Sequence, residues 1–487
     1  MKGMTNDVVV SGASIAKFDA PTLPCIDARD GTSSTRPLSE LGNARRLNDK
    51  HQGNIHYVYD AKVWLHWLDG AWCWDLDGAK VRSLAAILSA QIYNEGCLHL
   101  VNAGLYASWS RTSQKERTIK ASVSLLSDDE TIRLPMSIID ADLFLVGFDQ
   151  ARQVIDLRSG IARPAAQNDY ITKSLVVDQL GDSSKAVRWL EFLDQVFGDD
   201  IDLIGWVKRW CGYLLTGYTR EHVLVFCFGL GANGKSVFAE TLRFIIADYA
   251  RTMSSDTLAE SKRSAGSATP DIADLIGARL AMCSETESGV ALAESLVKLL
   301  VSDDSMTARK LYCAPIQFTK QFKLMMLGNH KPIIKGNDKG IWRRIILIPF
   351  ARTFKSEQQD PTLLNKLKAE APHILAWMVE GCLEWQKIGL KDIPVTIKQA
   401  TDEYQEDQNL LGHWFSECCK LSPSNEESST ELYANYKAWC LVNNLQAVSN
   451  VAFGRRLPDH ELTKRKSNGN TVWQGVELKI VELAMKA

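Results

Sequence analysis

The chain has 487 residues, too many for one core at roughly 100–200 residues per domain, so several domains are expected. Its 45% hydrophobic and 23% charged content is that of ordinary globular protein, and no apolar run reaches the ~18 residues of a membrane helix, which excludes a helical membrane protein. A net charge of −2 leaves nucleic-acid binding open, while eleven scattered cysteines, without CxxC pairs or zinc-finger spacing, argue against a structural zinc or a disulfide framework.

Residues 1–38 are rich in Ser, Thr, Pro and Asp and lack periodicity, which reads as a mobile lead-in without the apolar core of a signal peptide. A cytoplasmic location follows as an expectation. A helix is predicted after Ser39 as its cap, then a hairpin in "IHYVYDAKVWLHWLDGAWCWDLDG" turning at Asp69-Gly70. Trp64, Trp67, Trp72 and Trp74 crowd this hairpin, and alternation on strands makes them core aromatics before it makes them a stacking platform for bases. Helical patterns follow over Leu84–Leu105 and Lys115–Leu126, short strands meet near Asp149-Gln150, and Lys185–Leu215 is again helical.

From there, helix and strand patterns alternate to Phe350, the rhythm of a parallel sheet covered by helices. Asp360–Trp385 is helical, "TDEYQEDQNLLG" reads as a polar linker, and Leu411–Leu478 has a pattern of its own, which places a boundary near 400–410.

The stretch "GLGANGKS" satisfies GxxxxGK[ST] with Gly229, Gly234, Lys235 and Ser236, a match that arises by accident in about 2% of chains this long. An apolar strand over Val223–Phe228 and a helix over Val237–Ile246 flank it, so the N–H groups of Gly231, Ala232, Asn233, Gly234 and Val237 would converge on phosphates. Lys235 would neutralise the β- and γ-phosphates of ATP and Ser236 would hold Mg²⁺. A second strand, Leu280–Cys283, ends in "SETE", where Glu285, or Glu287 as second choice, is the acidic residue for the metal or the attacking water. A third, Phe322–Leu327, delivers Asn329, whose amide could orient water or could form a turn. Arg343 and Arg344 open the strand "RRIILIPF" as an arginine finger or as a surface basic pair.

In this order, "GLGANGKS", "CSETE", "GNHKP" and "GIWRRIILIPF" resemble the superfamily III helicases, closest to the phage and plasmid primase-helicases related to those of poxviruses. The resemblance covers residues 38 to 480. It implies an α/β fold: an AAA+-like P-loop domain with a parallel sheet over 216–352, an α+β helicase-associated domain over 39–165, a helical collar over 166–215, a helical extension over 353–405 and a winged-helix domain over 406–487. It also implies a ring, usually hexameric, that hydrolyses ATP at subunit interfaces and moves 3′ to 5′ on one strand of single-stranded or forked DNA, with Lys235 and Ser236 on phosphate and Mg²⁺, Glu285 as acidic motif, Asn329 as sensor and Arg344 or Arg343 as finger.

Lys298, Asp304 and Arg309 match the segment that leads to a channel hairpin in that family, but Ser302 and Asp303 stand where two glycines usually precede the aspartate. Arg309, Lys310 and Lys320 are the candidates there for contacting DNA phosphate, and Arg455, Arg456 and Lys464 in the basic tail are candidates for duplex binding; each set could instead be a solvated basic face. "DLD" at Asp75–Asp77 lies in a turn among tryptophans and is read as structural, so no primase centre is expected and a separate primase or initiator is the expected partner. The alternative reading is an initiator or scaffold that binds ATP and DNA without unwinding.

Overall fold

In the computed structural model, which describes residues 23–26, 33–97, 102–260, 269–284, 290–310, 312, 314–335, 339–443, 445, 447–460, 462–467 and 470–479, the Asp69-Gly70 turn joins strands Val63–Leu68 and Ala71–Asp75. Both turn residues take positive φ, 49° and 85°, the geometry that matches a two-residue turn to the twist of a hairpin. Of the expected mobile lead-in, residues 23–26 and 33–38 are described, and there Leu23–Ile26 pairs antiparallel with Ser33–Arg36; the rest lies outside the described residues. Ser39 caps helix Glu40–His51 by accepting the N–H of Gly42 at 3.1 Å.

The chain divides into two compact units, residues 1–154 with 163–173, and residues 155–162 with 174–487. In the first, the hairpin extends into a four-stranded sheet through Ile55–Val58 and Arg133–Leu134, the last strand running parallel to its neighbour. Helices Glu40–His51, Ala79–Cys97 and Glu116–Ser127 bury Leu47, Val81, Leu88 and Leu126 against Ile55 and Trp64. Trp64 and Trp72 are buried and Trp67 and Trp74 half-buried, as aromatic core residues of a half-covered sheet are. The carboxylates of "DLD" cap a helix: Asp75 accepts the N–H groups of Lys80 and Val81 at 3.2 and 3.0 Å, and Asp77 accepts that of Ala79 at 3.0 Å.

The second unit is built on five parallel strands, β1 (Leu224–Phe228), β2 (Ala250–Met253), β3 (Leu280–Ser284), β4 (Lys323–Gly328) and β5 (Ile345–Pro349), in the order β2-β3-β4-β1-β5. Strand β1 is almost entirely apolar and buried because it has neighbours on both edges and helices on both faces. Helices Ile201–Leu214 and Ala371–Ile388 meet backbone to backbone: an added Cβ on Gly212 would lie 2.0 Å from the Cys382 nitrogen, and one on Gly381 2.1 Å from the Lys208 carbonyl oxygen.

The polar "TDEYQED" expected as linker is helix, within Val395–Asp407. Its charged residues face out while Ile397 and Tyr404 are buried, and the Tyr404 ring packs 5.1 Å from Trp342 and 6.3 Å from Phe226. One buried residue every two turns suffices to hold this mostly polar helix on a sheet, a signal too sparse to stand out from a linker. The chain next breaks at Asn409, the cap of helix Leu410–Cys418. From there the elements run helix, strand Cys419–Ser428, helices Ser429–Val442 and Asn450–Arg456, and strands Thr463–Ser467 and Asn470–Leu478, with the last strand in the middle of an antiparallel three-stranded sheet. Trp414, Tyr436, Phe453 and Trp473 centre their separate core. No described helix is long and apolar enough to cross a membrane.

Candidate functional site

Parallel register decides which residues meet at one edge of the five-stranded sheet. Phe228 at the end of β1 pairs with Gly328 at the end of β4 and with Pro349 on β5, so Gly229, Asn329 and Phe350 all emerge together. The Lys235 ammonium sits at this junction, 4% exposed, and donates to the carbonyl oxygens of Gly229 and Gly328, each at 2.9 Å, and to Oδ1 of Asn329 at 2.6 Å. A cation this buried requires such acceptors. The loop before it turns through positive φ at Gly231 (106°), Ala232 (46°) and Gly234 (85°), and helix Lys235–Ile246 starts directly after. Its first N–H groups lack intrahelical partners and carry the positive end of the helix dipole, which favours an anion.

Asn233 ties the loop to the sheet. Its Nδ2 donates to the Phe350 carbonyl at 3.2 Å and its Oδ1 accepts the Lys235 N–H at 3.3 Å, and the residue is 4% exposed. Gly234 also touches helix Val187–Phe197, where a Cβ would lie 2.8 Å from Val196 and 3.0 Å from Phe192. Ser236 is exposed and Val237 half-buried at the helix start. A cavity of about 570 Å³ opens over these residues, with Phe192, Phe354 and Leu363 as apolar walls and Arg188, Gln195 and Gln358 among its polar ones. The Phe354 N–H donates to the Ala232 carbonyl at 2.8 Å, which fixes that wall to the loop. Cys227, one strand position away, has its thiol pushed up to about 12 by burial, against a smaller downward pull from Lys235, so it is an inert protonated group.

Glu285 and Glu287 lie outside the described residues, but Ser284, the end of β3, pairs with Leu327 at the same sheet edge as Lys235. Arg343 and Arg344 stand at the other edge, in the turn before β5 and not within it. The Arg344 carbonyl accepts the Leu224 N–H at 2.7 Å, its Nη1 donates to the Gly340 carbonyl at 2.6 Å, and five strand residues, roughly 16 Å, separate it from the loop of its own chain.

Arg309 and Lys310 follow the first strand of a hairpin formed by Ser305–Ala308 and Ile316–Thr319, with Lys310 exposed and 2.9 Å from Asp274. Lys320 is placed otherwise than expected. It is 1% exposed, and its Nζ donates to the Leu299 carbonyl and, at 2.9 Å, to Oγ of Ser302, so it closes the end of helix Glu294–Val301 and does not face a strand of DNA. Burial lowers its pKa, opposed by Asp304 and Asp303. Ser302 has ordinary extended dihedrals, φ −74° and ψ 165°, so the backbone at that point does not require glycine.

In the tail, Arg455 and Lys464 are exposed, and the Lys464 ammonium lies 6.0 Å from the Trp473 ring centroid. Arg456 is half-buried and donates to the Lys335 carbonyl. What sequence reading missed are backbone groups and distant walls: the carbonyls of Gly328 and Phe350, and the cavity side formed by Phe192 and Phe354. Only the strand endings "LGN" and "IPF" could have signalled the carbonyls, and nothing local signals the walls.

Residues 44–198 match the family model described as D5 N terminal like, and residues 227–344 match a family of unknown function (DUF5906). Among curated proteins, the chain is 26% identical over 356 residues to "Putative helicase L207/L206" of Acanthamoeba polyphaga mimivirus and 29% identical over 278 residues to "Putative helicase 022R" of Frog virus 3. The chain thus carries a D5 N terminal like region and is similar to these viral proteins. These matches cover 68% and 53% of this chain but 36% and 28% of the relatives, so the chain spans about a third of their length. "Putative primase C962R" of African swine fever virus (isolate Tick/Malawi/Lil 20-1/1983) is a further relative, 21% identical over 277 residues, covering 52% of this chain and 29% of that protein. A solved structure, the apo NrS-1 C terminal region, aligns over 90% of this chain and all of its own at 11% identity with a TM-score of 0.44.

Proposed function

We propose that this chain is an ATP-driven DNA helicase of a phage, plasmid or other mobile element, with the five-stranded unit as an AAA+-like P-loop motor and residues 406–487 as a winged-helix DNA-binding domain. One observation carries the reading: Lys235 is buried where the ends of β1 and β4 meet, beside Asn329, at the foot of a loop whose N–H groups open into a cavity. The residues fit ATP with Mg²⁺. Lys235 would exchange a carbonyl partner for phosphate oxygen, the N–H groups of Gly231 to Val237 would cradle the phosphates, and Ser236 with Glu285 would hold the metal. Bound Mg²⁺ would spread the charge that develops on the transferred phosphoryl group. Asn329, held against Lys235, is the sensor in this reading. Because Arg343 and Arg344 lie at the far edge of their own sheet, they can serve as a finger only for the nucleotide of a neighbouring copy, so a ring, hexameric by family resemblance, is part of the proposal.

DNA contacts are assigned to Arg309 and Lys310 on the hairpin and to Arg455 and Lys464 in the tail. The second reading, an ATP-bound scaffold that does not unwind, has one observation in its favour: the turn before the hairpin is tied by the Lys320 Nζ, which donates to Ser302 Oγ at 2.9 Å, and this would restrain a moving hairpin.

Hydrolysis of ATP with and without single-stranded DNA separates the two. A motor shows stimulation by DNA that Lys235→Ala lowers by about 10²-fold or more. DNA binding without DNA-dependent hydrolysis would sink the motor and leave the scaffold.

A further inference from the structure

A second cavity, of about 350 Å³, lies wholly inside the first unit, between strand Val63–Leu68 and helix Glu116–Ser127, and the phosphate-loop reading does not use it. Its floor is the Trp64 indole, 6% exposed, tilted against the Tyr57 ring at 5.0 Å. The indole N–H has no hydrogen-bond partner among the described residues and is not closed off from solvent, so it is free to donate to a group that enters the cavity. Gly78, at φ +71°, keeps the floor open: a Cβ there would sit 3.4 Å from the indole Cδ1 and 3.2 Å from Nη1 of Arg82.

The rim is made of cations. Arg82 is held over the floor by donating to the Asp77 carbonyl at 2.5 Å. Lys62 has no ion-pair partner among the described residues, and Lys120 has only the exposed Glu116, at 2.6 Å. The acid facing in is Asp77, whose Oδ1 already accepts the Ala79 N–H and whose Oδ2 is 3.9 Å from Arg82. Leu76, 75% exposed, adds an apolar lip. A set of donors around an aromatic floor accepts an anionic group next to a planar ring, and the volume suits one small unit.

We propose that this cavity binds one nucleotide, its phosphate on Lys62, Arg82 and Lys120 and its base against Tyr57 and the edge of Trp64, supplied either by a single strand of nucleic acid or by a free mononucleotide. The site is independent of the phosphate loop.

Photocrosslinking of the full chain to a thymidine oligonucleotide carrying 4-thiothymidine, with peptide mapping, tests it. Crosslinks on residues 55–82 are expected, reduced about tenfold in the Lys62→Glu, Lys120→Glu double variant and severalfold in Trp64→Phe, which keeps an aromatic ring but removes the N–H. Competition by excess thymidine monophosphate assigns the site to free nucleotide; competition by unlabelled strand alone assigns it to nucleic acid. Crosslinks that map elsewhere only, or that the charge reversal leaves unchanged, overturn the proposal. ATP hydrolysis by the same double variant is expected at the wild-type rate, and an inactive wild type that still crosslinks at 55–82 would remove the motor reading without touching this one.

Discussion

Gly234 combines two requirements that no other residue type meets, a left-handed φ of 85° and space for Val196 and Phe192. Gly234→Ala should therefore cost about 1–3 kcal/mol through strain and overpacking, read as a lower urea midpoint together with weakened nucleotide binding. Asn233→Ala leaves the Phe350 carbonyl and the Lys235 N–H without side-chain partners, at about 1–3 kcal/mol in the same measurement. Cys227, and Cys283 with its thiol likewise raised to about 12 by burial, should resist thiol reagents at pH 8 in the native protein and react once it is unfolded; native labelling at either position would contradict their placement. At this scale the sequence was legible wherever chemistry is local. Gly229, Gly234, Lys235 and Ser236 match GxxxxGK[ST] by spacing, whereas acceptors of the Lys235 ammonium come from positions 229, 328 and 329, brought together by strand register.

Elements show the same division. Strands β1, β3, β4 and β5 were each predicted within a residue or two because apolar runs between loop signals leave little choice. Helix Val395–Asp407 was not, since its anchor is Tyr404, whose hydroxyl donates to the Pro332 carbonyl. Tyr404→Ala should cost about 3–5 kcal/mol in chemical denaturation, while Tyr404→Phe, which keeps the ring, should cost about 1 kcal/mol. The hairpin offers a sharper contrast. Lys320→Glu would put an unpaired carboxylate against the Leu299 carbonyl, destabilising the fold by about 3–5 kcal/mol, whereas Lys310→Glu, at an exposed position, should leave the melting curve in place and weaken DNA binding. If both variants melt like wild type, Lys320 is not buried as described.

For the whole molecule, under the motor proposed above, the separation between the GxxxxGK[ST] loop and Arg344 within one chain makes a prediction about mixtures. Lys235→Ala and Arg344→Ala should each abolish hydrolysis alone, with Arg344→Ala still binding nucleotide. Mixed together, they should recover part of the activity, because an intact loop of one copy then meets an intact arginine of another. No recovery in an assembly shown to contain both would remove the arginine from the interface.

What the sequence by itself determined are the features written in neighbouring residues: the GxxxxGK[ST] loop between strand and helix, the hairpin at Asp69-Gly70, the helix cap at Ser39, and the alternation that announces a parallel sheet. Only the tertiary structure decided that Asn329 and Phe350 stand beside Lys235, that Lys320 is a buried helix closure, that the two arginines occupy the opposite sheet edge, and that Trp64 floors a cavity ringed by cations. The physical reason is that hydrogen bonds along a loop or turn depend on short-range spacing, while burial and long-range partners depend on the strand order β2-β3-β4-β1-β5 and on the faces that helices cover.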